Sequence, residues 1–527
     1  MNRRILTIGL ALFFLNASLT FRNLWPTPGI AWRGGLSIEL AVCVFMLAAL
    51  QPRCPPPSTR RARWLPAAWT MLVVGRYAEV TAPALYGRDI NLYWDLRFIP
   101  DVVRMIGRVA PIWLIAASLA GAGLALALFY RIVSLAWRTV AAACADPPVR
   151  RAVIGLSGAV MLGWALQLAI GRAAFAPPFA APVVLTYARQ AAFVAESLAG
   201  SSPLAASPPL DSDLSRVGNA DVFLVFVESY GAVSFDRPDI AGRLAAARQE
   251  LDAAVQMTNR HAVSAYVESP TFGGSSWLAH LSLMSGVEVR DQHTSARLMT
   301  EHRDTLVRAF GRRGFRTVAL MPGLRQSWPE GAFYGFDDIY GAGRLAYRGP
   351  EFGWFAIPDQ YSLERLDKLE AARPERMPLF VCFPTLSTHF PFNPTPPYQR
   401  DWTRIATAHP FDGPAIVRAY ARQPDWMNFT PGYIDAFSYE LATFAGYLEK
   451  HADRDLVMVL AGDHQPPALV SGQGASWEVP VHVIASRTAI LDRLAAHGFR
   501  PGLRPERPAL VRMHELLPVL LDSFGDR

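Results

Sequence analysis

The hydrophobic pattern divides the chain into two unlike parts. Before residue 171, five apolar stretches follow one another, at 5–21, 36–50, 65–86, 111–129 and 152–170. Each is close to the ~20 residues an α-helix needs to cross a hydrocarbon core of about 30 Å, although the second is short. The third is interrupted by Arg76 and Glu79, which lie three apart and so can pair on one helical face. The pattern predicts a first domain, residues 1–172, built on about five transmembrane helices.

Residues 173–219 read as a juxtamembrane linker, rich in Pro, Ala and Ser: Pro177, Pro178 and Pro182, then Ser201, Ser202 and Pro203, then Ser207, Pro208 and Pro209. From about residue 220 the periodicity changes. Short continuous apolar runs at 222–227, 317–321, 379–383 and 456–460 have the pattern of strands buried on both faces. Helical stretches such as 240–257 and 434–450 lie between them. That order predicts an α/β domain with a mostly parallel central sheet over residues 220–527.

Composition supports this division. Only 18% of the 527 residues are charged and 51% are hydrophobic, against the ~25% charged residues of ordinary soluble domains. The net charge of +7 raises the question of nucleic acid, but the basic residues do not cluster beside aromatic stacking residues. They are almost all arginine, Lys368 and Lys450 being the only lysines, and they flank the apolar runs. Arg3, Arg4, Arg53, Arg60, Arg61, Arg63, Arg131, Arg138, Arg150 and Arg151 fall on one side of the alternating loops. The opposite loops hold Arg22, Arg33 and a mixture that includes Asp89, Asp95 and Asp101. The positive-inside rule then predicts a cytoplasmic N-terminus and an extracytoplasmic second domain. A cleaved signal peptide ending near Asn16, Ala17 and Ser18 would leave that topology unaltered. Of the four cysteines, Cys43 falls in a span, Cys54 and Cys144 in the predicted cytoplasmic loops, and Cys382 in a buried strand, so no disulfide is expected outside.

The chemistry stands at strand ends, where open α/β sheets bind their ligands. The run 222–227 leads straight into Glu228, Ser229, Tyr230 and Gly231, and the run 456–460 into Ala461, Gly462, Asp463, His464, Gln465 and Pro466. Two carboxylates and an imidazole suit Zn²⁺ or Mn²⁺, and spacing does not choose between them. A third segment, Ser269, Pro270, Thr271, Phe272, Gly273, Gly274, Ser275, Ser276 and Trp277, opens an amphipathic helix that runs to Met284 and ends at Ser285 and Gly286. A hydroxyl there meets the positive end of a helix dipole, which favours both an alkoxide and a bound phosphate.

Taken together, the strand ending in Glu228, the glycine-led hydroxyl at Ser275 or Ser276, the segment Ser387, Thr388, His389, Phe390, Pro391 and Phe392, and the turn Gly462, Asp463 and His464 occur in an order that resembles the sulfatase/alkaline phosphatase superfamily. The similarity is to its membrane-anchored branch of lipoteichoic acid synthases, phosphoglycerol transferases and phosphoethanolamine transferases. It covers roughly residues 220–525 by motif and the remainder by architecture. The resemblance implies that Glu228, Asp463, His464 and the nucleophile hydroxyl hold a divalent metal, Mn²⁺ or Zn²⁺, with Mg²⁺ as a further option. It implies Ser276 or Ser275 as the nucleophile, with Thr271 a remote alternative. His389 corresponds to the histidine that holds a phosphate or protonates the leaving group, and Trp328 either contacts a headgroup or packs. His482, in the apolar run 479–484, is the one candidate for a second metal site, with a strand histidine as the alternative reading.

No Cys-x-Pro-x-Arg or Ser-x-Pro-x-Arg segment is present, which disfavours sulfate-ester hydrolysis. The implied activity is transfer or hydrolysis of a phosphoglycerol- or phosphoethanolamine-type headgroup through a covalent serine. The partners are a lipid donor and a glycan or lipid acceptor, at the periplasmic face of a bacterial inner membrane. A sulfuric-ester hydrolase of the same fold and a non-catalytic binding or sensing protein are the alternatives.

Overall fold

The computed structural model describes residues 2–25, 27–32, 34–50, 63–91, 95, 96, 99, 100, 103, 107, 112–170, 178–199, 204–326, 328–371 and 376–526. The expectations placed on Arg33, Arg53, Cys54, Arg60, Arg61, Asp101, Pro177, Ser201, Ser202 and Pro203 lie outside the described residues. The chain forms two compact units, Met1–Leu85 with Asp89–Ser201, and Tyr86–Arg88 with Ser202–Arg527.

In the first unit, helices run Asn2–Thr20, Ile38–Leu50, Trp64–Tyr86, Ile112–Ala143, Pro147–Ala169 and Val183–Ala199, with a small antiparallel pair, β1 (Phe21–Asn23) and β2 (Ile30–Trp32). All five apolar stretches are therefore helical over most of their described residues, with Phe21, Leu36, Ser37 and Ile170 outside the helices. Among the described residues three segments are long and apolar enough to cross a membrane: Arg3–Thr20, Ile112–Ala143 and Pro147–Ala169. The other two differ from expectation for separate reasons. Ile38–Leu50 has 13 residues, about 20 Å of helix at ~1.5 Å per residue, short of the ~30 Å core. Trp64–Tyr86 has the length, at 23 residues, but carries charge. Arg76 is buried, donating through Nε and Nη2 to the Phe21 carbonyl (3.1 Å each) and through Nη1 to Glu79 (3.0 Å). The stretch read as linker also contains a 17-residue helix, Val183–Ala199. Its start is held by the buried Glu39, whose Oε1 accepts the Val183 amide at 2.5 Å.

Among the described residues, the second unit is built on one sheet of nine strands: β3 (Asp221–Val227), β4 (His261–Glu268), β5 (Arg316–Met321), β6 (Asp338–Gly341), β7 (Leu379–Pro384), β8 (Leu456–Gly462), β9 (Glu478–Ala485), β10 (Arg500–Pro501) and β11 (Val511–Arg512). Their spatial order is β10-β4-β9-β8-β3-β7-β5-β6, with β11 beside β4. The stretch β8-β3-β7-β5-β6 is parallel throughout, while β9 runs antiparallel to both its neighbours. All seven residues of β3 are buried, because both faces are covered. Val222, Leu224 and Phe226 enter one core, and Phe223, Val225 and Val227 the other. This double burial is why the strand reads as an unbroken apolar run.

Register fixes where the loops emerge. Val227 is paired with Gly462 across β3 and β8, and Phe226 with Pro384 across β3 and β7. The residues following all three strands thus leave the same sheet edge side by side. At the opposite edge, buried Asp221 ties the strand starts together, accepting the Leu379 amide at 2.8 Å and Arg454 Nε at 2.5 Å, and pairing with Arg376. Replacing Asp221 with Ala orphans that amide and removes the acceptor from Arg454. The expected outcome is a loss of roughly 3 kcal/mol or more of stability, read as a lower denaturation midpoint for the second unit in the detergent-solubilised chain.

Candidate metal centre and nucleophile

Because β3 and β8 are parallel and in register, the first residue beyond each, Glu228 and Asp463, comes to the same point. Gly462 makes the approach feasible: a Cβ there would lie 2.0 Å from the Tyr230 carbonyl oxygen. Glu228, Asp463 and His464 are all buried, and each offers a ligand atom within 4.8 Å of the others. His464 Nε2 lies 3.4 Å from Glu228 Oε1 and 3.7 Å from Asp463 Oδ2.

The surrounding chain orients each group. Asp463 Oδ1 accepts the Ser229 amide (2.8 Å) and the His464 amide (2.6 Å). Ser229 sits in the left-handed region, at φ 59°. Its amide thereby serves Asp463 while its hydroxyl donates to Glu228 Oε1 at 3.0 Å. His464 Nδ1 is 2.7 Å from the Gln465 carbonyl oxygen, which fixes a proton on Nδ1 and turns Nε2 into the cluster. Asp463 Oδ2 has no hydrogen-bond partner among the described residues although it is buried.

The hydroxyl arrives from a third direction. After β4 the chain passes through Gly273 (φ 67°), Gly274 (φ 137°) and Ser275 (φ 65°) and then starts the helix Ser276–Ser285. Three successive positive φ values swing the first helical residue inward. Ser276 Oγ donates to Glu228 Oε2 at 2.8 Å and lies 3.1 Å from His464 Nε2. Ser275 is the helix N-cap and makes no side-chain capping bond, and Thr271 Oγ1 is used on the Gly274 carbonyl at 2.7 Å. Of the three hydroxyls proposed from sequence, Ser276 is the one placed on the cluster.

Electrostatics show why these groups suit a cation. Burial alone would raise Glu228, but the charge and hydrogen bond of His464 hold it well below the usual carboxylate range. Asp463 is pushed up to about 8 by burial and by the neighbouring Glu228 charge. Burial would lower His464, yet Asp463 and Glu228 raise it to about 9. In the metal-free cluster, protons therefore take the place that positive charge must fill. A divalent ion fits the same donors and gives Asp463 Oδ2 the partner it lacks.

His389 stands in the loop after β7. Its Nδ1 is 2.6 Å from the Phe390 carbonyl oxygen and its ring meets Phe355 edge-on at 5.0 Å. The ring is near enough to Glu228 to act on its charge. A small cavity of mixed polarity lies beside it, with Phe352, Phe355, Leu386 and Ser387 in its wall. Two other candidates are placed elsewhere. His482 is buried in β9 with both ring nitrogens engaged, Nε2 by Tyr230 Oη (2.9 Å) and Nδ1 by Ser264 Oγ (2.6 Å), and burial lowers it to about 3. Trp328 packs on Tyr334, ring centroids 5.6 Å apart, against the core. Cys382 is buried in β7, and burial raises its thiol to about 12.

Sequence reasoning passed over His280. It lies four residues after Ser276, hence one turn along the same helix, and its ring packs on Phe226 at 4.2 Å. Burial lowers it to about 3, while Glu228 and His464 act on it with opposite sign. The i, i+4 spacing from Ser276 was the available signal.

No family model matches the chain, and no curated protein matches it. Solved structures are similar in fold. The integral membrane lipooligosaccharide phosphoethanolamine transferase A (EptA) from Neisseria meningitidis is 12% identical, covering 98% of this chain and 96% of its own, with a TM-score of 0.46. The lipoteichoic acid synthase LtaP from Listeria monocytogenes is 14% identical, covering 56% and 71%, with a TM-score of 0.38. The Streptococcus pyogenes phosphoglycerol transferase GacH is 11% identical, covering 59% and 76%, with a TM-score of 0.36.

Metal ligands must be deprotonated, so a cation entering this cluster displaces the protons on Asp463 and His464. Both groups are protonated at pH 7 without metal, so affinity rises with pH until about 9. Calorimetric titration of Mn²⁺ at pH 7 in buffers of different ionisation enthalpy is expected to show release of about two protons per ion. Uptake, or no release, would exclude these two groups as the displaced sites.

Proposed function

We propose that the chain is a membrane-anchored, metal-dependent enzyme that transfers or hydrolyses a phosphoglycerol- or phosphoethanolamine-type headgroup through a covalent Ser276 intermediate, on the outer face of the inner membrane. The carrying observation is the Ser276 hydroxyl itself, seated on Glu228 Oε2 and His464 Nε2 at a helix start. The motif order and the arginine bias around the apolar helices support the same reading.

Glu228, Asp463, His464 and Ser276 Oγ would hold one divalent cation, Mn²⁺ or Zn²⁺, with Mg²⁺ as the third option. Bound there, it lowers the pKa of the hydroxyl and polarises a phosphoryl oxygen. The remaining steps belong to the chain. Ser276 Oγ passes its proton toward Glu228 Oε2 and attacks phosphorus, so that an Oγ–P bond forms as the bond from phosphorus to the diacylglycerol oxygen breaks. The first amides of the helix Ser276–Ser285 face the phosphoryl oxygens and favour their negative charge. His389 supplies the proton that the departing alcohol takes. A glycan or lipid hydroxyl, or water, then attacks the same phosphorus, returning a proton to His389 while Ser276 recovers its own. Helices in the bilayer keep the site close to its donor and so raise its effective concentration.

The test uses the full-length chain with Mn²⁺ and vesicles containing phosphatidylglycerol or phosphatidylethanolamine, following diacylglycerol release and the mass of the 269–290 peptide. Ser276→Ala is expected to lower release by roughly 10³-fold or more and to abolish the adduct, whereas Ser275→Ala stays within about threefold of wild type. An adduct that maps elsewhere, or survives Ser276→Ala, removes the proposed nucleophile. Asp463→Ala is expected to lose metal and turnover together; turnover lost at full metal content would contradict its role as a ligand.

A further inference from the structure

A second pair of carboxyl groups is buried away from the metal cluster. Asp359 opens the helix Asp359–Ala371, and Glu440 lies in the middle of the helix Thr430–Lys450; both side chains are fully buried. Asp359 accepts backbone amides from the loop after β7. Oδ1 takes Leu386 N at 3.0 Å, and Oδ2 takes Leu386 N at 2.9 Å and Ser387 N at 2.6 Å. In return the Asp359 amide donates to Ser387 Oγ at 3.2 Å. Glu440 faces Asp359 within hydrogen-bonding reach, yet neither of its oxygens meets a donor among the described residues. Two carboxylates in contact and out of water repel strongly unless one keeps its proton. The other titratable group facing the pair is Tyr439, itself buried and a neutral phenol, whose oxygen accepts the Gln360 amide at 3.2 Å.

The loop that Asp359 grips is the one carrying His389. Its other side is bound to the backbone of the metal cluster: Glu228 N donates to Thr385 Oγ1 (3.1 Å), Thr388 Oγ1 donates to the Glu228 carbonyl (2.7 Å), and Thr385 N to the Phe226 carbonyl (2.9 Å). Resting on the proposed function, we infer that Glu440 is an un-ionised carboxylic acid that donates its proton to Asp359, and that this acid–carboxylate pair is a positioning device clamping residues 385–389 so that His389 is held beside Glu228. Burial raises Asp359 to about 6, and burial with the Asp359 charge raises Glu440 well above the carboxylate range, in keeping with one proton shared by two groups. Glu440 makes no hydrogen bond to Glu228, Asp463 or His464. It acts through Asp359, the amides of Leu386 and Ser387, and the loop.

Three readouts on the full-length chain test the clamp, two of them independent of turnover. The infrared difference spectrum of wild type minus Glu440→Gln is expected to contain the carbonyl band of an un-ionised acid; loss of an ionised carboxylate band instead overturns the shared proton. Hydrogen exchange of the peptide covering residues 379–392 is expected to quicken at least about tenfold in Glu440→Leu, which has no donor, and to return to the wild-type rate in Glu440→Gln, whose amide can donate to Asp359. Unchanged exchange in Glu440→Leu, or Glu440→Gln exchanging as fast as Glu440→Leu, overturns the clamp. In diacylglycerol release, Glu440→Leu is expected to lose about 100-fold in kcat with KM and metal content unchanged, and Glu440→Gln to regain it. If Glu440→Leu does not fold, Glu440→Gln decides: wild-type exchange and kcat with the acid band lost support the clamp, and a tenfold loss in either overturns it. Absence of turnover in the wild type counts against the proposed function alone, since the spectrum and the exchange rates still decide the clamp.

Discussion

Parallel pairing of β3 with β8 brings Glu228 and Asp463 to one buried point, and the remainder of the site is arranged around the charge this creates. Two carboxylates out of water repel unless a proton or a cation stands between them. His464, following Asp463 directly, supplies one positive group, and the Ser276 hydroxyl supplies a proton to Glu228. The pairing that stabilises the sheet thus fixes the electrostatic demand that a metal can meet. The cost of assembling these groups is borne by the double core around β3 and β8, whose residues are buried throughout.

The loops leaving this edge are held by polar side chains inside the fold. Thr385 and Thr388 bind the backbone on either side of Glu228, Ser229 serves both carboxylates, and Asp359 grips the loop amides from the far side. Buried hydrogen bonds of this kind select one geometry, because a shift leaves further polar groups without a partner. A histidine on a loop, as His389 is, can then keep its place without belonging to a strand or helix.

Much of this was legible in the sequence, and the exceptions have physical reasons. β3, β7 and β8 were visible because double burial makes them continuous apolar runs, and Glu228, Asp463 and His464 because they follow such runs immediately. β4 was not named as a strand, since His261, Ser264 and Glu268 break its apolar run. The five apolar stretches were found, but their lengths and the buried Arg76 decided which were long and apolar enough to span. Ser275 and Ser276 could not be separated by spacing; the left-handed φ of Ser275 does so, turning the next hydroxyl inward. His482 was open between a second-site ligand and a strand histidine, and its place in β9 with Tyr230 and Ser264 on its two nitrogens is that of the strand histidine. Asp359 and Glu440 gave no signal at all, because their meaning lies in contacts among segments near 359, 386 and 440 that only the fold brings together.

Under the proposed function, one cation lies among Glu228, Asp463 and His464 with the Ser276 hydroxyl beside it. Anomalous diffraction from crystals of the full-length chain grown with Mn²⁺ tests it most directly. The expected result is a single strong peak in contact with Asp463 Oδ2, His464 Nε2, a Glu228 oxygen and Ser276 Oγ. A peak held by His482, or density at this cluster with Ser276 turned away from it, would contradict the account.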